Sequence, residues 1–275
     1  MKTSSTLSKV ILVTGASSGI GYACATALSA RGHRIYGASR HAPTTPSAFT
    51  PLTMDVTKEA SVIAGIHTIL EREDRLDCVL NNSGMGFGGA VEDTELEETQ
   101  ALFDVNFFGV VRVCRAVLPS MRKQHSGLII NMSSIGGLMG LPYQAPYSAS
   151  KYALEGFTES LRLELTGSGI HAVLVEPGDV STAFTANRLH AAAAANPDSP
   201  YAPRFRRALM KIEADERHGF SPEKVAHTVA RIVAARKPRM RTLVGPFPQR
   251  LAARIKPFLP SLLFERLLLA YYNLV

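Results

Sequence analysis

Tyr147 and Lys151, in the run Tyr147-Ser148-Ala149-Ser150-Lys151, are the side chains of this sequence best suited to moving a proton. Residues four apart on a helix share a face, so a fixed ammonium can stand close to the phenol. A positive charge within a few ångströms favours phenolate and draws a tyrosine pKa down from roughly 10 toward the range of a working acid or base. Chance supplies such pairs in many helical proteins. This one gains specificity from Ser134, at the end of the preceding apolar run Leu128-Ile129-Ile130-Asn131-Met132, and from a glycine turn near the amino terminus.

That turn is Thr14-Gly15-Ala16-Ser17-Ser18-Gly19-Ile20-Gly21, directly after Val10-Ile11-Leu12-Val13. Glycines between a strand and a helix allow a tight turn, close approach of backbone to a pyrophosphate and packing of helix on strand, with the helix amino terminus facing the anion. The spacing is G-x-x-x-G-x-G, and Gly15, Ser17, Ser18, Gly19, Ile20 and Gly21 are the candidate contacts. At the end of the second strand, where an NAD enzyme places an acid to bind the ribose diol, stand Ser39 and Arg40. A guanidinium there pairs with a 2′-phosphate that an acid would repel. Arg40 therefore predicts NADP(H) in preference to NAD(H).

The elements that must position these residues are legible as alternating short apolar runs and longer amphipathic stretches, which read as parallel strands joined by helices. Five motifs fall where such runs end: the glycine turn, Ser39-Arg40, Asn81-Asn82-Ser83-Gly84, Ser133-Ser134 and Pro177-Gly178. In a sheet of this kind the ligand sits beyond the carboxyl ends of the strands. Thr57 reads as the N-cap of a helix carrying Val62, Ile66 and Ile69, and Glu95 to about Gln124 reads as one long helix. Tyr147 to Thr166 is helical by pattern, Ser221-Pro222-Glu223 is a helix start, and a last strand covers about Arg241 to Val244. Residues 179 to 220, with Ala191 to Ala195 and three prolines, are too irregular for the sheet and read as a substrate lid.

Length and composition predict one soluble domain spanning residues 1–275. Cys24, Cys78 and Cys114 are far apart in apolar stretches, so they read as buried small hydrophobes, and no disulfide framework or metal site is expected. The start is polar to Lys9, its apolar stretch is too short for a secretory segment, and no run approaches transmembrane length. A reducing, cytoplasmic setting is expected. The net charge of +7 is local: Arg236, Lys237, Arg239, Arg241, Arg250, Arg254 and Lys256 account for it, leaving 23 charges of each sign elsewhere. Interleaved aromatics and a nucleic-acid module are lacking, so no nucleic acid is expected and a solvated basic face is the default. Residues 246–275 form a basic and apolar extension that reads first as a tail packed over the substrate pocket, and second as a peripheral membrane contact.

The chain resembles the short-chain dehydrogenase/reductase family over about residues 8 to 245. Thr14 to Gly21, Asn81-Asn82-Ser83-Gly84 (with Ser83 where the family commonly has Ala), Asn106, Ser134, Tyr147, Lys151 and Pro177-Gly178 with Thr182 carry the likeness. It implies a doubly wound Rossmann-like domain with a seven-stranded parallel sheet flanked by helices, assembled as a homodimer or homotetramer. It also implies that Asp55 and Val56 lie beside the adenine, that Asn82 borders the cofactor and Thr182 touches its carboxamide end, and that Gly84, Pro177, Gly178 and Val180 are further cofactor contacts. The implied chemistry is hydride transfer between a nicotinamide and a carbonyl or alcohol carbon. Tyr147 would give or take the proton and Ser134 would hydrogen-bond the substrate oxygen. Lys151 would hold the ribose and lower the Tyr147 pKa, while Asn106 anchors a relay water. Ser134 rather than Ser133 matches the family's spacing to the tyrosine.

The stretch around Tyr147 and the apolar tail are similar to the 17β-hydroxysteroid and retinol dehydrogenase subgroup. Met85, Phe87, Leu138, Met139, Leu141, Tyr143 and Phe184 are candidate pocket residues that suit a hydrophobic ketone, aldehyde or alcohol and would equally serve as plain core. Two other readings stay open, a membrane-surface lipid reductase and a non-catalytic NADP-binding regulator, though the latter has no need of Ser134, Tyr147 and Lys151 together.

Overall fold

Runs such as Val10-Ile11-Leu12-Val13 have no polar face to offer water, so the strands they form must be covered on both sides. A computed structural model describes residues 8–41 and 48–275. The reading of the chain's first seven residues as polar lies outside the described residues. The order is β1 (Val10–Thr14), α1 (Gly19–Ser29), β2 (Arg34–Ser39), β3 (Thr50–Thr53), α2 (Glu59–Glu73), β4 (Cys78–Asn81), β5 (Phe87–Gly88), α3 (Leu96–Phe103) and α4 (Gly109–Lys123). It continues with β6 (Gly127–Met132), α5 (Ala145–Glu164), β7 (Ile170–Pro177), β8 (Leu189–His190), α6 (Ala202–Arg217), α7 (Pro222–Ala234), β9 (Arg241–Val244), α8 (Phe247–Ile255) and α9 (Ser261–Tyr271).

Seven strands form one parallel sheet in the order β3-β2-β1-β4-β6-β7-β9, flanked by helices as the sequence predicts. Alternate residues of β1 serve opposite faces. Ile11 and Val13 pack with Cys24 and Leu28 of α1 and Val225 and Val229 of α7, whereas Val10 and Leu12 join Val62 of α2, Val113 of α4 and Leu154 of α5. Each side chain so buried contributes about 1.5–3 kcal/mol. The three cysteines belong to these cores, and burial pushes all their thiols up to about 12. Strand order runs outward from β1 on one side and from β4 on the other, so a crevice opens beyond their carboxyl ends.

Four local readings are corrected. Lys58 rather than Thr57 is the N-cap of α2, because the Thr57 hydroxyl is spent on Asp55, 2.8 Å away. The long helix from Glu95 is broken by a π-turn at Asp104–Phe108, where the Gly109 N–H reaches back to the Asp104 carbonyl. Residues 179–220 are not wholly irregular: they contain α6, led by a proline in its first turn, and β8, which pairs with β5. The basic segment is not one face. Because β9 lies parallel to β7, Arg236, Lys237 and Arg239 precede its amino end, while Arg250, Arg254 and Lys256 follow its carboxyl end. Among the described residues no helix is long and apolar enough to cross a membrane.

Arg241 is a tie within the fold. Its guanidinium meets Glu155 and Glu159 of α5 and lies 2.7 Å from Glu176 of β7, which is wholly buried. Burial, with the nearby Glu176 charge, pushes the Glu155 carboxyl up to about 7. An acid whose pKa rises on folding contributes stability that is full below its ordinary value of 4.5 and lost as pH rises through about 7. Replacing the cation should therefore hurt most where both buried carboxylates are ionised. Arg241→Met is expected to cost about 3–5 kcal/mol at pH 8 and distinctly less at pH 5.5. Urea unfolding at the two pH values checks this; equal losses would show that the charge is not what Arg241 supplies.

Candidate active site

All five strand-end motifs border one cavity of about 1150 Å³ at the carboxyl edge of the sheet. Gly15 and Gly19 have positive φ, 67° and 56°, which only glycine adopts without strain. A Cβ on Gly21 would stand 2.2 Å from the Gly15 carbonyl oxygen and 2.5 Å from the Asn82 amide nitrogen, so helix and turn close on each other there. The Asn82 side chain clamps the turn by donating to the carbonyls of Thr14 (3.1 Å) and Gly15 (3.3 Å), while the Thr14 hydroxyl accepts from the N–H groups of Asn82 and Ser83. The amino end of α1 has no side-chain cap and no acid in its first turn. Its free N–H groups and positive dipole end thus face the cavity, a cradle that fits a pyrophosphate.

Of the predicted cofactor contacts, every one except Gly21 lines this cavity, and Gly21 sits directly behind the turn. Arg40 is exposed at the wall, and no ion pair engages it among the described residues. Burial would raise the Asp55 carboxyl, yet hydrogen bonds from the Thr57 N–H and hydroxyl, with the charges of Lys58 and Arg40, hold it below its usual value. At the far end Thr182 packs against the glycine turn, a Cβ on Gly19 falling 3.5 Å from its own Cβ.

Between these ends lie the proton-handling groups. Ser134 caps a short 3-10 turn, accepting from the Gly136 N–H at 3.1 Å, and it flanks Gly136 together with Tyr147: a Cβ there would lie 3.2 Å from the tyrosine ring and 3.5 Å from the serine oxygen. Lys151 lies below, its Nζ donating to the Met132 carbonyl at 3.0 Å and standing 5.9 Å from the Tyr147 ring centre. Here the expectation for the tyrosine is corrected. Burial outweighs everything else and raises the Tyr147 pKa; the groups that pull it down are Ser134 and then Arg188. Burial also lowers Lys151 to about 8, against the attraction of Glu155. The protein alone thus holds a neutral phenol over a weakly held ammonium proton.

Asn106 is absent from the cavity wall. It sits in the π-turn and holds the loop after β4, accepting from the Met85 N–H (2.9 Å) and donating to the Met85 carbonyl and the Ser150 hydroxyl (both 3.1 Å). Gly84 allows this closeness: a Cβ there would lie 3.3 Å from the Asn106 oxygen and 3.7 Å from the Lys151 Nζ.

The sequence matches the short chain dehydrogenase family over residues 9–193. The chain belongs to the short-chain dehydrogenase/reductase family. Its relatives include a 3-ketodihydrosphingosine reductase of Bacteroides thetaiotaomicron, 45% identical over 264 residues, covering 96% of this chain and 98% of that one. Estradiol 17-beta-dehydrogenase 1 of Rattus norvegicus is 38% identical over 193 residues, 64% of this chain and 56% of its own. A solved short-chain dehydrogenase/reductase from Burkholderia phymatum, in complex with NAD, is 26% identical and superposes with a TM-score of 0.77 over 91% of this chain and 93% of its own. This protein is therefore an oxidoreductase acting on CH–OH and C=O groups.

In this short-chain dehydrogenase/reductase the remaining walls come from residues that no motif announces. Gln249, in the first turn of α8, accepts from the Asp179 N–H at 3.1 Å and donates back to the Asp179 carboxylate. Arg188 is buried, paired with Glu216 of α6 and donating to Gln144 at 2.9 Å, which fastens residues 179–220 to the start of α5. Asp179, Asp215 and Glu216 put carboxylates in the wall, and Leu267, Leu268 and Tyr271 of α9 put apolar surface there. Of the predicted pocket residues, Met85, Met139, Leu141 and Phe184 line the cavity, while Phe87, Leu138 and Tyr143 pack behind it.

The two hydrogen bonds between Asn106 and Met85 make a stability prediction. Asn106→Ala leaves the Met85 N–H and carbonyl without partners and is expected to cost about 1–3 kcal/mol. Denaturant unfolding measures it, and an unchanged midpoint would deny the asparagine this bracing role.

Proposed function

We propose that this enzyme uses NADPH to reduce a ketone carried on a long apolar chain beside an amino group, a 3-keto sphingoid base such as 3-ketodihydrosphingosine. The observation that carries the reading is the juxtaposition of Ser134, Tyr147 and Lys151 in a cavity whose outer wall is apolar α9 and whose side wall carries Asp179, Asp215 and Glu216. Such a ketone offers an alkyl chain to the first wall and an ammonium to the second. The Bacteroides relative supports the same substrate class.

A nicotinamide dinucleotide, when bound along the glycine turn, supplies the hydride for the carbonyl carbon. The chain's own residues manage the oxygen. Tyr147 donates its phenolic proton to the oxygen as charge develops there, and Ser134 donates a hydrogen bond to the same atom, the phenol being fixed beforehand by burial and the serine by its place capping the 3-10 turn. Lys151, whose proton burial has loosened, stabilises the phenolate and replaces its proton. The Asn106 side chain is committed to Met85 and Ser150. Arg40, exposed and without an ion pair among the described residues, suits the 2′-phosphate of NADPH.

The test is oxidation of NADPH and NADH by the purified enzyme with 3-ketodihydrosphingosine, its N-acetylated form and a steroid ketone. NADPH-dependent turnover of the free amine is expected, falling by a factor of about 10²–10⁴ in Tyr147→Phe with little change in NADPH affinity. Arg40→Asp is expected to reverse the preference between the two cofactors, by replacing attraction to the 2′-phosphate with repulsion. Full activity in Tyr147→Phe would remove the proposed acid, an unchanged cofactor ratio would remove Arg40 from the 2′-phosphate, and equal rates on the N-acetylated ketone would remove the ammonium from the substrate.

A further inference from the structure

The last two helices expose apolar side chains in ordered stripes. On α8 Phe247, Leu251 and Ile255 recur every fourth residue, and on α9 Leu263, Leu267 and Tyr271 do the same; all six are exposed. Phe258, 86% exposed on the turn between the helices, and Leu262, 72% exposed, join them. An apolar surface of this extent is unusual for a chain that meets only water. Of the charges on this segment Arg254, Arg266 and Glu265 are exposed, while Lys256 donates inward to the Leu138 carbonyl and the Tyr152 hydroxyl and Asp215 accepts from the Tyr271 hydroxyl.

The stripes also coincide with the mouth of the cavity. Ile255, Leu267 and Tyr271 are exposed to solvent and at the same time line the cavity that holds Tyr147. The opening between α8 and α9 therefore lies within the apolar surface rather than beside it.

We infer that the α8–α9 face docks on an anionic lipid surface, so that the cavity mouth opens directly into the lipid layer. The apolar side chains enter the boundary of the acyl region while Arg254 and Arg266 meet the negative headgroups. Charge decides between this occupant and a second copy of the chain. Across a two-fold contact the same surface faces itself, which would set an excess of exposed cations, Arg254 and Arg266 against Glu265, on an identical group. An anionic bilayer supplies the missing sign. Docking goes beyond the proposed reaction, because it concerns where the substrate enters and not what it is.

Flotation of the full chain with phosphatidylcholine vesicles, with and without phosphatidylglycerol, tests the inference. Binding to the anionic vesicles, weakened by salt, is expected. The double variant Phe258→Glu/Leu262→Glu, at positions outside the cavity wall, is expected to bind at least about tenfold more weakly while keeping its circular dichroism and its turnover of a water-soluble ketone. Equal binding by both proteins, or by neither, would overturn the docking. So would a shift of the double variant from oligomer to monomer in sedimentation without vesicles, since the face would then belong to a second copy. Variant-sensitive vesicle binding without turnover of any sphingoid ketone would uphold the docking and count against the proposed substrate.

Discussion

The site depends on one consequence of burying a parallel sheet on both faces. From β1 the chain continues toward one edge of the sheet, through β2 to β3, and from β4 toward the other. Where the two directions part, neighbouring strands end without a connection to cover them, and a crevice is unavoidable. The glycine turn, the Asn82 clamp, Ser133-Ser134 and Pro177-Gly178 each lie at or just past the end of a strand at this edge. Their alignment is a property of the sheet before it is a property of any side chain.

Burial that makes the sheet stable also sets the proton chemistry. Tyr147 and Lys151 stand on the inner side of α5, and removal from water acts on them in opposite senses, holding the phenol neutral and loosening the ammonium proton. In water the two groups are nearly equal in acidity; burial makes the ammonium that must replace the proton the stronger acid of the pair, so the proton passes from Lys151 toward a phenolate. Glu155, one helical turn beyond Lys151, joins Glu159 and Glu176 on Arg241, so α5 is tied to β7 and β9 by charge as well as by its packing.

How much of this the sequence discloses follows from physical range. Strand-end motifs are local: Thr14 to Gly21 must be a turn and Val10 to Val13 must be buried whatever surrounds them, and the order Ser134, Tyr147, Lys151 survives because strand and helix fix it. Thr57 loses its capping role to a neighbour, Asp55, but most of what stays hidden involves partners distant in the chain. Asn106 reads as a relay residue from its family position, and what the sequence does not disclose is that its amide also braces Met85, twenty-one residues earlier. Arg241 reads as one of seven solvated cations until three carboxylates from α5 and β7 converge on it. β3 is illegible because its residues, Thr50-Pro51-Leu52-Thr53, are largely exposed at the sheet edge, where a proline is tolerated and alternation means little. α6 is masked by the irregular, proline-containing stretch that precedes it.

Gln249 joins two parts of the enzyme that the sequence keeps seventy residues apart. It belongs to the first turn of α8, yet its amide grips both the main chain and the carboxylate of Asp179, immediately beyond β7. A Cβ on Gly178 would fall 1.9 Å from the Gln249 oxygen, so the grip has no slack. The outer helix cannot swing aside without letting go of the backbone at the inner end of the cavity. Door and floor hang on one hinge pin, and the molecule cannot release the first while keeping the second taut.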